Sequence, residues 1–339
     1  MLPEIVRGVD FELDDDQLAL RAAARELLDD RSRPRDAGGF DADLWKAMVD
    51  QGWLGVELAE GDGGLGLGAV ETAVLLEELG RAVAPVPYLQ SVLALGALAR
   101  AGRSDWVERL VGGDAVGCVV WRPDAPVIAG PLADVAVVVA GSALVAIDLE
   151  GRRPDRQPAM DLTRPLGWLT VDPAQGEVIG DAAAIEALLD RGAVGHSAEL
   201  LGAAQRVLDM SVAYAKDREQ FGRPIGSFQA VKHRCADMLV DVEGMRSAVY
   251  WAAWCVGAGH LDASVAASTA KVWCADAGTR VMASGLQVHG GIGFTWEHDL
   301  HLYLKRAQLD AVSFGDASFH RERLAGLLRG RIEAGESVV

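Results

Sequence analysis

The chain has 339 residues, 50% of them hydrophobic and 24% charged, which is enough for two or three packed units with real cores and too apolar for disorder. A formal charge of −17 sets the overall field against nucleic acid and anionic membrane surfaces, so neither is expected as a partner. Four widely spaced cysteines (Cys118, Cys235, Cys255, Cys274) show no metal-ligand spacing and read as small buried hydrophobes of a reducing cytoplasm.

In chain order, the N-terminus turns acidic at Glu12 and Asp14 to Asp16 where a signal peptide needs an apolar core. No uncharged run approaches the roughly 18 residues of a membrane helix, so a soluble, cytoplasmic protein is expected. From Leu13 to about Leu110 apolar residues recur at helical spacing, with breaks at Arg33-Pro34, Gly61 to Gly68 and Pro85-Val86-Pro87, which predicts four to six helices. Between Val116 and Gly180 the texture changes to short β-branched runs, VGCVVW, VAVVVAG, ALVAIDL and LTVD. Long helical patterns return over Ala182 to Lys216, Ser227 to Ala258 and Leu261 to Ser284, followed by a final pair ending near Arg329. The expectation is a mainly α chain with a small β domain: helical over 1–114, a reduced β unit over 115–180, and a helical bundle over 181–339. Trp251, Trp254, Val265, Val272 and Trp273 read as bundle core.

Two segments carry candidate chemistry. Arg218 to Gln229 (REQFGRPIGSFQ) interrupts two long helices with donors suited to an anion and a ring: Arg218 can fork to a pyrophosphate, Gln220 and Gln229 offer amides, and Phe221 a stacking face. An ordinary helix connection has the same outline. Gln287 to Phe294 (QVHGGIGF) ends another helix with glycines that let backbone approach a ligand, although glycines also simply cap helices. No strand precedes that turn, so it is not a dinucleotide fingerprint.

The order and spacing of several segments resemble the acyl-CoA dehydrogenase family over nearly the whole chain. They are Trp45 to Met48, Gln51 to Gly55, Gly63 to Leu67, Leu76 to Arg81 with Pro85 and Pro87, Asp161-Leu162-Thr163-Arg164 (the family's strand-associated DxTR), Ala203 to Asp209, and the two segments above. The resemblance implies that family's fold: an N-terminal helical domain, a middle β-domain and a C-terminal four-helix bundle. It also implies FAD and acyl-CoA as ligands, with Arg218, Gln220, Phe221, Gln229, Gln287, Gly290 and Gly291 holding the adenosine and pyrophosphate end of an FAD whose flavin lies mainly in a neighbouring subunit.

The resemblance fails where the family does its chemistry. The family's catalytic glutamate aligns with Phe314, which can accept no proton, and Asp316 sits two residues on. The alternative base position on an earlier helix aligns with Gly192 and Ala193, with Arg191 and Glu199 nearby. The stretches that seat the isoalloxazine are missing between Trp121 and Ala140. No catalytic residue and no metal site are therefore expected. The pattern resembles the base-less subunits of actinobacterial α2β2 acyl-CoA dehydrogenases of steroid side-chain breakdown, in which a complete partner supplies the base and holds most of the acyl-CoA. A homomeric dehydrogenase using Asp316 or Glu199, and a non-enzymatic scaffold on the same fold, are the alternatives.

Overall fold

The computed structural model describes residues 12–335; residues 1–11 and 336–339, with the start of the acidic N-terminus, lie outside it. Five helices come first: α1 (Asp15–Arg31), α2 (Ala42–Asp50), α3 (Ala69–Arg81), α4 (Tyr88–Arg100) and α5 (Ser104–Val111). Asp14 caps α1 in a reciprocal box with Gln17, satisfying amides that the first turn leaves unpaired. The acidic pair in the middle of α3 does structural work. Glu78, fully buried, receives Arg25 from α1 at 2.6 Å and Arg81 at 2.8 Å, while Glu77 receives the Tyr250 hydroxyl at 2.6 Å and Arg246 at 2.5 Å.

Strands follow as β1 (Gly117–Val120), β2 (Val127–Ile128), β3 (Val135–Ala140), β4 (Ala143–Asp148), β5 (Leu166–Gly167) and β6 (Glu177–Gly180). The main sheet has the order β1-β3-β4-β6; β1 lies parallel to β3, and the other pairs are antiparallel. Side chains alternate by strand period: Val119, Val135, Val137, Leu144 and Ala146 join the main helical core, while Cys118, Val120, Ala136, Val138, Val145 and Ile147 form a second core. One expected strand is corrected. LTVD (Leu169–Asp172) is not a strand, because Asp172 caps the 3-10 turn at Pro173 instead, and the last strand is Glu177–Gly180. Asp161 to Arg164 forms a turn before β5, its polar side chains drawn inward by partners on the helices.

The second half is α6 (Ala182–Asp217), a hairpin of β7 (Glu219–Gln220) and β8 (Arg223–Pro224), then α7 (Gln229–Gly257), α8 (Ala263–His289), α9 (Leu300–Val312) and α10 (Ala317–Glu333). The bundle centre is narrow, filled by Ala266, Ala270, Cys274 and Ala277. The core reading holds in part: Trp251 and Trp254 are half-buried and pack against the main core, Val265 and Val272 are half-buried, and Trp273 is exposed, because small residues let the helices approach too closely for indoles between them. The same logic is extreme where α3 crosses α6. A Cβ on Gly80 would stand 1.9 Å from the Glu199 carbonyl oxygen, and one on Gly202 1.7 Å from that of Glu77, so the two backbones touch. Among the described residues no helix is long and apolar enough to cross a membrane.

Candidate functional site

Two places on α6 carry the candidate residues. The first is its C-terminal end. Arg218 terminates the helix, its amide donating to the Tyr214 carbonyl at 2.8 Å, and the chain turns back through the β7–β8 hairpin with Gln220 opposite Arg223. Phe221 and Gly222 form the tip with φ of 55° and 77°, the left-handed pair that a two-residue hairpin needs. Phe221 holds that conformation against its Cβ and is 92% exposed. Its ring meets Phe228 edge-on at 6.0 Å, and the Arg223 guanidinium lies 4.2 Å over Phe228. Gln220 spends its amide on the Glu219 carbonyl at 2.7 Å; Gln229 opens α7.

The Gln287 to Phe294 segment arrives at the same end. The Tyr214 ring stacks on His289 at 4.7 Å, which ties the last turn of α6 to the last turn of α8. His289 donates from Nδ1 to the Gly285 carbonyl at 2.8 Å, and burial lowers its pKa. Gly290 turns with φ 63°, and a Cβ on Gly290 or Gly291 would meet nothing within 4 Å. Arg218, Gln220, Phe221, Gln229, Gln287, Gly290 and Gly291 are all exposed. Among the described residues the side chains of Arg218, Gln229 and Gln287 have no hydrogen-bond or ion-pair partner. A cation, amides and open glycine backbone converge on one surface without spending themselves on each other. That arrangement fits the adenosine and pyrophosphate end of a nucleotide cofactor held from outside the chain.

The second place lies 26 residues back along α6, about 39 Å away at helical rise. Here Phe314, in the loop between α9 and α10, is buried with φ 55°, and a Cβ on Gly192 would stand 2.2 Å from its ring. The two sequence positions considered for a catalytic base thus face each other, and a phenyl ring over bare backbone fills the space between them. The ring also stacks on Trp121 at 5.8 Å and lies 5.6 Å from His196. His320 donates from Nε2 to the Phe314 carbonyl at 2.8 Å while its Nδ1 faces the Ser268 hydroxyl at 3.3 Å, fixing the loop. In front of the ring is a cavity of about 640 Å³ with Val119, Ile128, Leu166 and Val312 among its walls and Arg122 and Asp316 also lining it. Asp316 accepts from the Phe319 amide at 2.8 Å as the cap of α10.

Behind Phe314 is a buried charged cluster that the linear sequence does not display. Arg164 pairs with Glu199, Arg306 reaches Asp161 at 2.9 Å and the Thr163 hydroxyl at 2.5 Å, His196 Nδ1 meets Asp310 at 3.0 Å, and Lys271 donates to the Asp310 carbonyl. Burial pushes Asp310 up to about 6 despite Arg164 and Arg306, lowers Lys271 to about 8 despite Asp310, and drives His196 well below its ordinary value. Ligand atoms of His196, Glu199 and Asp310 lie within 4.8 Å of one another, a spacing that suits a metal. Arg164, Lys271 and Arg306 already balance Asp161, Glu199 and Asp310, so an added dication would be uncompensated. The cluster instead ties the turn before β5 to α6, α8 and α9. The cue in sequence was a histidine and a lysine inside apolar helical stretches, which periodicity alone assigns to core.

Comparison with known proteins identifies the family of the two helical parts. Residues 14–114 match the family described as acyl-CoA dehydrogenase, N-terminal domain, and residues 180–328 match acyl-CoA dehydrogenase, C-terminal domain. The chain is 40% identical over 287 residues to acyl-CoA dehydrogenase IpdE2 of Mycolicibacterium smegmatis, covering 84% of this chain and 88% of that one. It superposes with TM-score 0.85 and 30% identity on a chain of the ChsE4-ChsE5 complex from Mycobacterium tuberculosis, covering 95% of this chain and 99% of that one. A chain of the Tcur3481-Tcur3483 steroid ACAD G363A variant gives TM-score 0.86 and 28% identity over 94% of this chain and 99% of that one.

Proposed function

This chain belongs to the acyl-CoA dehydrogenase family, and from that footing we propose that it is the base-less subunit of a heteromeric FAD-dependent acyl-CoA dehydrogenase, completing the FAD site of a catalytic partner. One observation carries the reading. The unspent donors around Arg218 lie about 39 Å along α6 from Phe314, farther than an extended FAD reaches, so they serve a cofactor whose flavin is not beside this chain's own Phe314. The two similar solved chains come from assemblies of two different polypeptides by their names, which favours a partner of the same family, in an α2β2 heterotetramer on this reading.

When bound, FAD supplies the hydride acceptor for α,β-dehydrogenation. Arg218 would pair with its pyrophosphate through charge-assisted hydrogen bonds, the Gly290-Gly291 backbone would approach it closely, and Phe221 would offer its exposed face to the adenine. Phe314 moves no proton; it packs the space where a carboxylate would stand. The alternative bases are committed elsewhere: Asp316 caps α10, and Glu199 is buried in its ion pair with Arg164. A bulky, ring-bearing acyl-CoA, bound mainly by the partner, is the proposed substrate class, since the Tcur3481-Tcur3483 protein is a steroid enzyme by name.

The test is expression with and without a complete dehydrogenase subunit. The reading predicts a colourless or poorly soluble chain alone and a yellow, active complex on co-expression. A yellow homo-oligomer with turnover overturns it.

A further inference from the structure

The β7–β8 hairpin carries a second cation beside Arg218. Its ladder pairs Glu219 with Pro224 and Gln220 with Arg223, and continues in the Ile225 amide, which donates to the Arg218 carbonyl at 2.7 Å. Arg218 is itself extended, with φ −75° and ψ 119°, so successive side chains alternate between the two faces. Arg218, Gln220, Arg223 and Ile225 therefore share one face, and Glu219 and Pro224 the other. Arg218 and Arg223 stand diagonally across the ladder, about 7–8 Å apart at their backbones, which two long side chains can bridge. Among the described residues neither guanidinium has a hydrogen bond or an ion pair, although the chain holds 49 acidic residues against 32 basic ones. Elsewhere arginines are spent on carboxylates: Arg246 on Glu77, Arg280 on Asp241, and Arg323 on Glu186 and Asp190. Arg223 is held by stacking instead. Its guanidinium lies 4.2 Å over the Phe228 ring, a contact that fixes the plane and leaves its N–H donors free.

We infer that Arg223 binds the second phosphate of the cofactor's pyrophosphate while Arg218 binds the first, an inference that rests on the shared-FAD reading. The charge count carries it. The pyrophosphate of a dinucleotide bears one negative charge on each phosphate at neutral pH, and a single guanidinium leaves one of them unmatched. The Gly290-Gly291 amides can donate hydrogen bonds there but bring no charge. Lys216 lines the groove between α6 and α7, and Arg234 reaches the Ser284 hydroxyl on α8 at 3.5 Å, so Arg223 is the cation that shares the face of Arg218. Two like charges on one small hairpin repel, and a dianion lying across them removes that repulsion. Stacking on Phe228 also presents a planar fork already oriented, so little side-chain freedom is lost when a phosphate arrives.

The test is made on the complex co-expressed with an unmutated catalytic partner, by following the fluorescence of FAD released on dilution at low and high salt. Arg223→Gln, Arg223→Lys and Arg218→Ala are compared with the unsubstituted complex. Arg223 is exposed, so each of its variants should give a complex of normal composition and melting temperature. Arg223→Gln should raise the FAD dissociation constant roughly five- to twentyfold, the lower part of the range for a charge-assisted contact because the side chain is exposed. Arg223→Lys keeps the charge but loses the fork and the planar stack, and should fall between the unsubstituted complex and Arg223→Gln. In about 1 M salt the Debye length falls to about 3 Å, so the effect of Arg223→Gln should shrink by about threefold or more. A loss that is independent of salt, or a lysine variant no better than glutamine, marks a purely structural contact with Phe228 and overturns the assignment. An unchanged dissociation constant in Arg223→Gln beside a weakened one in Arg218→Ala overturns it too, and leaves the shared-FAD reading standing. Unchanged affinity in both variants removes that reading and this inference with it.

Discussion

Replacing Phe314 by alanine separates packing from catalysis. The ring is 5% exposed and wedged among the Gly192 backbone, Trp121 and His196, so truncation removes its transfer energy and leaves a void that bare glycine backbone cannot fill. Such changes cost about 3–5 kcal/mol; the neighbouring 640 Å³ cavity lets water enter, which places this one near 3. Phe314→Gly adds a diagnostic. Phe314 holds φ at 55°, where a Cβ costs about 1–2 kcal/mol, so glycine should be the more stable of the two truncations despite being smaller. The assay is urea unfolding of the co-purified complex together with turnover at a temperature where each variant is folded. Stability should fall in the order wild type, glycine, alanine, with turnover per flavin within about threefold of wild type, under 1 kcal/mol of barrier. A hundredfold loss of turnover in a folded, flavin-replete variant would refute the packing role, and alanine outranking glycine would refute the strain argument.

Gly202→Ala places a methyl group against the Glu77 carbonyl at the α3–α6 crossing, and should destabilise by about 3 kcal/mol or prevent folding, read by thermal melting. Glu199→Gln leaves Arg164 buried without its ion-pair partner and should cost about 3–5 kcal/mol in denaturant titration; a loss under 1 would show that the cluster is not a clamp. Burial lowers His320 from 6.5 to about 4, against its hydrogen bond to Phe314. A depressed histidine pKa means the unfolded chain binds the proton first, so this contribution is complete above about pH 6.5 and is lost as pH falls toward 4. His196 adds to that slope and Asp310 opposes it below about 6, so His320→Gln should reduce, not abolish, the acid sensitivity of unfolding between pH 6.5 and 4.

Much of the fold was legible because its signals are local. The apolar period of α6, the acids before α1 and the glycine and proline breaks each act within a few residues. LTVD misled because β-branched composition does not specify a strand when an aspartate two residues further on from Thr170 captures the backbone into a 3-10 turn. The Trp273 indole of α8 misled because hydrophobicity gives a face but not how close the neighbouring helix comes, which Ala266 and Ala270 decide. The Arg218 and Gly290 segments were readable separately; their meeting, through Tyr214 and His289, depends on α6 and α8 running in the same direction. The His196, Lys271, Arg306 and Asp310 cluster draws its side chains from three helices far apart in the chain, α6, α8 and α9, so no window of sequence contains it.

The central claim is that this chain holds part of an FAD whose flavin sits in a partner, and Arg218→Ala tests it most directly. The substitution is made in this chain only, co-expressed with an unmutated catalytic partner, and flavin content and FAD dissociation constant are measured on the purified complex. The exposed Arg218 has no partner within the described chain, so its loss should not affect folding. The account predicts a complex of normal composition whose FAD affinity falls roughly 10- to 100-fold, the value of a charge-assisted hydrogen bond to a phosphate. Full flavin occupancy at micromolar protein without added FAD, with an unchanged dissociation constant, contradicts it.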